Sequence, residues 1–271
     1  MRRIASGGHS TIHELRAIDD RARFALKSVR LDATDDAVSL DRFLREARMM
    51  MRLRHPSIAT VHDVGQVDDL GAYFVLEYVD GETIRSMLGP NGLAVDVGLA
   101  IAVQIADALD VAHRAGVVHR DLKPDNVIVA RRAIPAEPIR AKLVDFGIAR
   151  MSGAVGITSP RDLLGTPGYM APEYVRDGIA TEAADQYSLG VLTYEMLSGR
   201  LPFDATSSGQ LLVKQARTAP IALDERRPGL DPAIGAVVMR ALERTPGARF
   251  PTIAAYRDAL GSISDRHGSS S

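Results

Sequence analysis

The sequence has no cysteine, almost no net charge and no long uninterrupted apolar run. The absence of cysteine excludes a disulfide framework, a thiol nucleophile and an iron–sulfur site held by this chain. A formal net charge of −1 over 271 residues provides no bulk attraction for nucleic acid or for an anionic membrane surface, so we expect neither as a partner. The longest apolar stretch, residues 97–109, is interrupted by Gln104 and Asp107 and predicts a packed helix rather than a membrane span.

The two ends of the sequence show no recognisable targeting segment. Met1 is followed by two arginines and Ile4, not by the apolar run of a signal peptide. Residues 263–271 end in Gly-Ser-Ser-Ser and predict a flexible tail. We therefore expect a cytoplasmic protein, although a longer parent could be anchored in a membrane.

Hydrophobic patterning divides the chain near residue 80. Before this point, short β-type runs at 24–30 and 73–78 surround one amphipathic helix whose apolar residues follow helical spacing: Leu40, Phe43, Leu44, Ala47, Met50 and Met51. After it, the patterns are mostly helical, and the segment 185–197 is apolar on most sides, which predicts a buried helix. We predict a β-rich lobe at 1–80 and a larger helical lobe at 81–262.

Two short motifs stand out in the larger lobe. Residues 119–126 read His-Arg-Asp-Leu-Lys-Pro-Asp-Asn, and Asp145-Phe146-Gly147 begins nineteen positions after the asparagine. Each motif alone has an ordinary alternative, which is a surface turn for the first and the end of a strand for the second. Strand-like runs at 127–129 and 141–144 give both motifs a matching structural context, which argues against chance.

The residue types in these motifs suit phosphoryl transfer from ATP. Such transfer depends on positioning a hydroxyl and neutralising charge on the phosphoryl group. Asp121 can accept the proton of the attacking hydroxyl or orient it. Asn126 and Asp145 offer the oxygen ligands that Mg²⁺ takes, one or two per ion.

The two motifs resemble the signatures H-R-D-L-x-x-x-N and D-F-G of the eukaryotic-type protein kinase family. The resemblance runs from Ile4 to about Leu260 and is closest to the bacterial serine/threonine kinases. It implies an α+β fold of two lobes, with ATP and Mg²⁺ in the cleft between them. It also implies that Asp121 is the catalytic base, that Lys123 reaches the γ-phosphate, and that Asn126 and Asp145 hold the metal.

The Gly-rich loop expected of the family matches unevenly. Residues 4–12 lie where the family has G-x-G-x-x-G-x-V, but only Gly7 matches, because Ala5 and Ser10 replace the outer glycines. Cβ atoms at these two positions predict looser closure on the phosphates. The strand before the loop also retains only residues 1–3, so we expect a truncated first strand.

The remaining nucleotide contacts follow from the same resemblance. Lys27, in a segment like V-A-I-K, would hold the α- and β-phosphates and pair with Glu46. The alternative for Glu46 is an ordinary helix-surface pair with Arg42.

The segment 73–81 resembles the hinge that links the two lobes. The Glu77 carbonyl and the Val79 amide would bind the adenine edge, with Leu76 as gatekeeper. The adenine ring would lie among four apolar residues, for which simple core packing is the alternative: Ile4, Ile12, Ala25 and Ile128.

The large lobe favours a protein substrate with serine or threonine hydroxyls. Leu122-Lys123-Pro124 resembles the serine/threonine branch, and residues 165–173 resemble the peptide-positioning segment, where Thr166 would lie beside the catalytic aspartate. Small-molecule kinases of related fold generally lack this Ala-Pro-Glu segment and the arginine that binds it.

Two internal anchors are also implied. Arg249 would pair with Glu173, and Asp185 would accept hydrogen bonds from the catalytic-loop backbone, since buried charges need partners. Residues 130–140, with two prolines and no apolar period, predict a surface loop.

Regulation and function leave alternatives open. Arg120, beside the catalytic aspartate, predicts pairing with a phosphate on the activation segment, at Thr158 or, as second choice, Ser159. Autophosphorylation would need transient self-association, and the oligomeric state stays open. The alternatives to an active protein kinase are a pseudokinase or nucleotide-binding scaffold with little or no transfer activity, and a small-molecule phosphotransferase.

Overall fold

A computed structural model describes residues 2–6, 10–18, 22–29, 45, 47–67, 71–134, 137–146 and 167–268. The N-terminal lobe is an antiparallel sheet with strand order β1-β2-β3-β5-β4. Its strands are β1 Arg2–Ser6, β2 Ser10–Arg16, β3 Arg23–Val29, β4 Val61–Val67 and β5 Gly71–Glu77. Helical residues at 45 and 47–50 precede β4, and Ala47 and Met50 are buried there as the helical spacing predicts.

The first strand is longer than the three residues that we expected before the Gly-rich loop. β1 contains five residues and pairs with β2 from Arg2 opposite Glu14 to Ser6 opposite Thr11. Residues 4–6, which we assigned to the Gly-rich loop, belong to this strand. The pairing is possible because backbone hydrogen bonds to β2 do not require an apolar side chain, and all five residues of β1 are exposed.

The larger lobe begins with a short second sheet. Residues 78–80 connect β5 to β6 Gly81–Thr83, which pairs with β7 Val127–Ala130, and β7 pairs with β8 Ala141–Leu143. The connection between β7 and β8 is exposed at almost every described position, so the predicted surface loop is confirmed.

The helices of the larger lobe surround one buried helix. Their bounds are α1 Ile84–Met87, α2 Val95–Arg114, α3 Pro172–Asp177, α4 Glu182–Ser198, α5 Ser208–Arg217, α6 Leu223–Arg226, α7 Pro232–Ala241 and α8 Ile253–Gly268. Every residue of α4 from Ala184 to Ser198 is buried, as the apolar pattern predicted. α4 ends at Gly199, whose φ of 71° and close approach to Gly92 leave no room for a side chain.

The prediction of a flexible tail from residue 263 is wrong for residues 263–268. Helix α8 continues to Gly268. Tyr256, Leu260 and Ile263 are all buried, at a spacing of four and then three residues, so one apolar stripe holds the helix against the core. In the part of the chain that the structure describes, no helix has the length and apolar character needed to cross a membrane.

Candidate active site

The loop between α2 and β7 brings three polar side chains together. The ammonium of Lys123 lies 2.7 Å from Oδ2 of Asp121, and the amide nitrogen of Asn126 lies 3.2 Å from the same oxygen. The Asn126 amide also donates to the Asp121 carbonyl at 2.8 Å. Asp121 and Lys123 are about one-fifth exposed, so the carboxylate is oriented by neighbours while remaining open to solvent.

Asp185, in the buried helix α4, holds the backbone of this loop. Its carboxylate accepts from the amides of His119 at 2.7 Å and Arg120 at 2.9 Å, and its third contact is Nε2 of His113 at 2.8 Å. Arg120 has φ 67° and is the only non-glycine residue with positive φ among those described. Such a conformation costs on the order of 1–3 kcal/mol, and the two bonds to Asp185 help to maintain it.

His119 is fully buried beneath the loop. Its ring centroid lies 4.7 Å from that of Phe146, the residue after Asp145. Nδ1 of His119 accepts from the amide of Asp121 at 3.3 Å. Burial lowers the pKa of His119 below its ordinary value, because the charged imidazolium would lose its hydration. A neutral His119 therefore links the two motifs through its ring and its nitrogen.

Asn126 and Asp145 lie at adjacent ends of two paired strands. β7 follows Asn126, β8 precedes Asp145, and the Val144 amide donates to the Asn126 carbonyl at 3.0 Å. The bonds from Asn126 to Asp121 use its amide nitrogen, so its oxygen is the atom it offers to a cation. The described residues contain no cluster of three or more histidine or carboxylate ligands. One carboxylate and one amide fit Mg²⁺ that also binds phosphates and water.

Lys27 forms an ion pair with Asp145. Its ammonium lies 2.5 and 2.6 Å from the two carboxylate oxygens, and its side chain is 4% exposed. The expected partner Glu46 lies outside the described residues. The sequence analysis assigned Lys27 and Asp145, which are 118 residues apart, to the same site. It did not predict an ion pair between them.

The residues expected around the base lie on β1, β2, β3 and β7, and the expected gatekeeper Leu76 lies on β5. Ile12 is opposite Lys27 on paired strands, and Ala25 is opposite Leu76, which is 6% exposed. Ile128 lies on β7, and Ile4 lies on β1 with 47% exposure.

The Gly-rich segment is described only in part, since Gly7 lies outside the described residues. Ala5 and Ser10 lie on β1 and β2 without positive φ, so the backbone at these positions does not require glycine.

The hinge residue Glu77 has a further role through its side chain. Its carboxylate binds the ammonium of Lys142 on β8 at 2.6 and 2.8 Å and accepts from the Thr60 amide at 3.2 Å. This contact joins the end of β5 to the larger lobe. Val79 follows in the connection between the lobes and is half-buried.

Arg249 and Glu173 form a buried two-pronged pair. The two guanidinium nitrogens lie 2.7 and 2.8 Å from the two carboxylate oxygens, and Arg249 is 2% exposed. Arg249 also donates to the carbonyls of Ala183 at 2.8 Å and Glu243 at 2.7 Å. Helix α3, which begins after Ala171, is thereby fixed to the core.

The sequence did not reveal a polar network next to the catalytic loop. Arg85 donates to Glu195 at 3.0 Å and to the Tyr169 hydroxyl at 2.9 Å, and the same hydroxyl donates to Glu195. Burial and the charge of Glu195 raise the pKa of Tyr169, so its hydroxyl stays protonated. The signal in the sequence was Glu195, a charged residue near the end of the mostly apolar segment 185–197, because a buried charge requires a partner.

Three expected residues of the activation segment lie outside the described residues: Thr158, Ser159 and Thr166. Their assigned roles remain predictions from the sequence.

Comparison with known proteins identifies the family of this site. The protein kinase domain family matches residues 1–255. The chain is 34% identical over 265 residues to the serine/threonine-protein kinase pkn2 of Myxococcus xanthus, covering 96% of this chain and 31% of the relative. It is 35% identical over 269 residues to the serine/threonine-protein kinase PknA of Mycobacterium tuberculosis, covering 97% of this chain and 60% of the relative. The chain therefore spans less than two thirds of the length of either relative.

Solved structures agree with the sequence relatives. The kinase domain of PknI from Mycobacterium tuberculosis superimposes with a TM-score of 0.74 at 29% identity, covering 96% of this chain and 94% of that domain. Rad53 in complex with AMP-PNP superimposes with a TM-score of 0.76 at 25% identity, covering 95% of this chain and 62% of that one. The chain belongs to the protein kinase family and is similar to the serine/threonine kinases of bacteria.

Proposed function

We propose that the chain transfers the γ-phosphoryl group of ATP to serine or threonine hydroxyls of proteins. The observation that carries the proposal is the convergence of Lys123 and Asn126 on the carboxylate of Asp121, together with the Lys27–Asp145 pair. The names of the bacterial relatives support the serine/threonine class, and the AMP-PNP complex of Rad53 supports a nucleotide site in this fold.

Each residue has a defined role in the transfer. Asp121 accepts the proton of the substrate hydroxyl while the hydroxyl oxygen bonds to the γ-phosphorus. The bond between the γ-phosphorus and the oxygen that bridges it to the β-phosphate breaks, and ADP is released. Lys123 and Lys27 neutralise negative charge on the γ-phosphate and on the α- and β-phosphates. Asn126 and Asp145 would hold Mg²⁺, which supplies charge neutralisation between the phosphates when bound.

Protein is the proposed acceptor because the segment before α3 is firmly held. The Arg249–Glu173 pair fixes the first turn of α3, where this segment ends. Within the segment, Tyr169 is held by Arg85 and Glu195. A rigidly held segment suits the positioning of an extended peptide. We further propose that the chain phosphorylates its own activation segment at Thr158, with Ser159 as second choice.

Two measurements separate this function from its alternatives. Mg²⁺-dependent binding of ATP to the purified chain is followed by transfer of radiolabelled phosphate to itself and to a generic basic protein. Label on serine or threonine of either protein supports the proposal. Nucleotide binding without transfer supports a pseudokinase or scaffold, and transfer only to small hydroxyl compounds supports a small-molecule phosphotransferase.

A further inference from the structure

Glu14 is a buried carboxylate in the middle of strand β2, outside the site described above. It is 4% exposed, and three arginines surround it, one from each neighbouring strand and one from its own strand. Arg2 of β1 and Nε of Arg23 of β3 each lie 2.9 Å from a Glu14 oxygen, and Arg16 of β2 lies at 3.6 Å. The proposed chemistry assigns no role to this cluster.

The Arg23 side chain extends the cluster to the hinge. Its guanidinium carbon lies 3.8 Å from the centre of the Tyr78 ring, and its terminal nitrogen lies 3.6 Å from Asp80. Tyr78 stands between Glu77 and Val79, the two residues whose backbone groups are assigned to the adenine edge. A guanidinium packed on this ring therefore limits how the hinge backbone can move.

The Arg2 side chain connects the cluster to strand β1. Every residue of β1 is exposed, so the strand is held mainly by its backbone pairing with β2. That pairing is interrupted by a register shift between Arg3 and Ala5. β1 leads into the Gly-rich segment that would cover the phosphates, and the ion pair of Arg2 with Glu14 fixes the opposite end of this strand to β2.

We propose that Glu14 is a positioning residue for the nucleotide, which couples strand β1 to the hinge by binding Arg2 and Arg23 at once. The expected effect on nucleotide binding rests on the proposed function, whereas the link between β1 and the hinge rests on the contacts of Glu14 alone. Neutralising Glu14, as in Glu14→Gln, replaces the charged pair with Arg23 by at most a neutral hydrogen bond to the amide oxygen, so the guanidinium is held less tightly against Tyr78. The same change weakens the ion pair of Arg2, so strand β1 and the hinge lose the charged side chain that connects them.

A series of four variants tests the coupling. Amide hydrogen exchange is measured without nucleotide at residues 3–6 of β1 and at residues 78–79 of the hinge. Glu14→Gln should accelerate exchange at both places by about three- to tenfold, while Arg2→Gln should accelerate it at β1 only. Arg23→Gln should accelerate it at the hinge. Asp63→Asn, which removes an exposed carboxylate from the far strand β4, is the matched control and should change neither.

The nucleotide arm uses the same variants. With Glu14→Gln, the dissociation constant of Mg²⁺·AMP-PNP and the KM for ATP should rise about three- to tenfold, while kcat stays within about twofold. The double variant Glu14→Gln/Arg23→Gln should be no worse than the more affected single variant, because both break one interaction. Faster exchange at only one of the two places in Glu14→Gln overturns the proposal, as does an unchanged nucleotide affinity. A wild-type chain that binds no nucleotide refutes the proposed function, whereas the exchange comparison still decides the coupling.

Discussion

The ammonium of Lys27 lies 2.5 and 2.6 Å from the two carboxylate oxygens of Asp145. These are the groups assigned to the phosphates and to the metal ion, and in this structure each neutralises the other. The pair is largely buried, with side-chain exposures of 4% and 20%, so its attraction is only weakly screened by water. Binding of Mg²⁺ and nucleotide therefore has to replace this ion pair with contacts to phosphate and metal.

The first prediction follows from that exchange of partners. Asp145→Asn should remove the dependence of nucleotide affinity on Mg²⁺, because an amide is a weaker ligand than a carboxylate. Lys27→Met should weaken nucleotide binding but strengthen binding of Mg²⁺ alone, because the competing ammonium is gone. Calorimetric titrations of ADP with and without Mg²⁺, and of Mg²⁺ alone, measure both effects. Equal Mg²⁺ dependence in Asp145→Asn and the wild type would show that another group holds the metal.

The second prediction concerns Asp121. Asp121→Asn keeps the shape of the side chain but removes the proton acceptor, so kcat should fall about 10²–10⁴-fold. Nucleotide affinity should change little, because Asp121 contacts Lys123 and Asn126 rather than the hinge. Steady-state transfer to a protein substrate, together with nucleotide titration, separates the two quantities. Near-normal turnover would show that Asp121 is not the base.

The grouping of the residues assigned to catalysis could be predicted from the sequence because the proposed chemistry requires fixed residue types at short spacing. Asp121, Lys123 and Asn126 lie within six residues, and they are in mutual contact in the structure. The Arg249–Glu173 contact could be predicted only from the resemblance, since 76 residues separate the two side chains in the sequence.

Other features could not be predicted because they depend on tertiary packing. Glu14 is an ordinary acidic residue in a strand until pairing with β1 and β3 brings Arg2 and Arg23 to its carboxylate, beside Arg16 of its own strand. The length of β1 is set by backbone pairing, which does not depend on side-chain pattern. The last turns of α8 were missed because Gly261 and Ser262 interrupt the apolar stripe and the residues after Ile263 are polar.

The third prediction concerns the stability provided by Arg249. Arg249→Met leaves the Glu173 carboxylate and three carbonyls without this donor in the core, so the free energy of unfolding should fall by about 3–5 kcal/mol. Glu173→Gln should cost less, since Arg249 keeps its carbonyl acceptors at Ala183 and Glu243. Urea denaturation measures both. The exposed neighbouring pair of Arg176 and Asp177 supplies the control, and Arg176→Gln should leave the transition unchanged. A loss in Glu173→Gln larger than that in Arg249→Met would contradict this ranking.

The fourth prediction concerns the activation segment. Arg120 carries a permanent charge beside Asp121, and a phosphate on the segment would pair with it in bidentate fashion. Incubation with ATP should place phosphate on Thr158 in the wild type but not in Asp121→Asn, as mass spectrometry would show. Thr158→Ala should lower transfer to an added substrate, and Ser152→Ala is the matched control within the same segment. Full activity of Thr158→Ala with Ser159 unmodified would refute this mode of activation.

The fifth prediction concerns His119 and pH. Burial lowers the pKa of His119 below its ordinary value of 6.5, so the unfolded chain takes up a proton near that pH while the folded chain does not. The contribution of neutral His119 to stability is therefore complete above pH 6.5 and is lost as pH falls toward its folded pKa. The free energy of unfolding should decrease on acidification with a slope of up to about 1.4 kcal/mol per pH unit from this one group.

Urea denaturation between about pH 5 and pH 8, the range in which histidine titrates, measures this slope. His119→Gln should be less stable than the wild type at neutral pH, but its unfolding free energy should depend less steeply on pH below 6.5. Comparing slopes rather than absolute stabilities cancels the cost of altering a fully buried side chain. His62→Gln, at an exposed position on β4, shows what replacing a surface histidine does to the curve. Parallel curves for the wild type and His119→Gln would mean that His119 takes up its proton equally in the folded and unfolded chain, which its complete burial against Phe146 argues against.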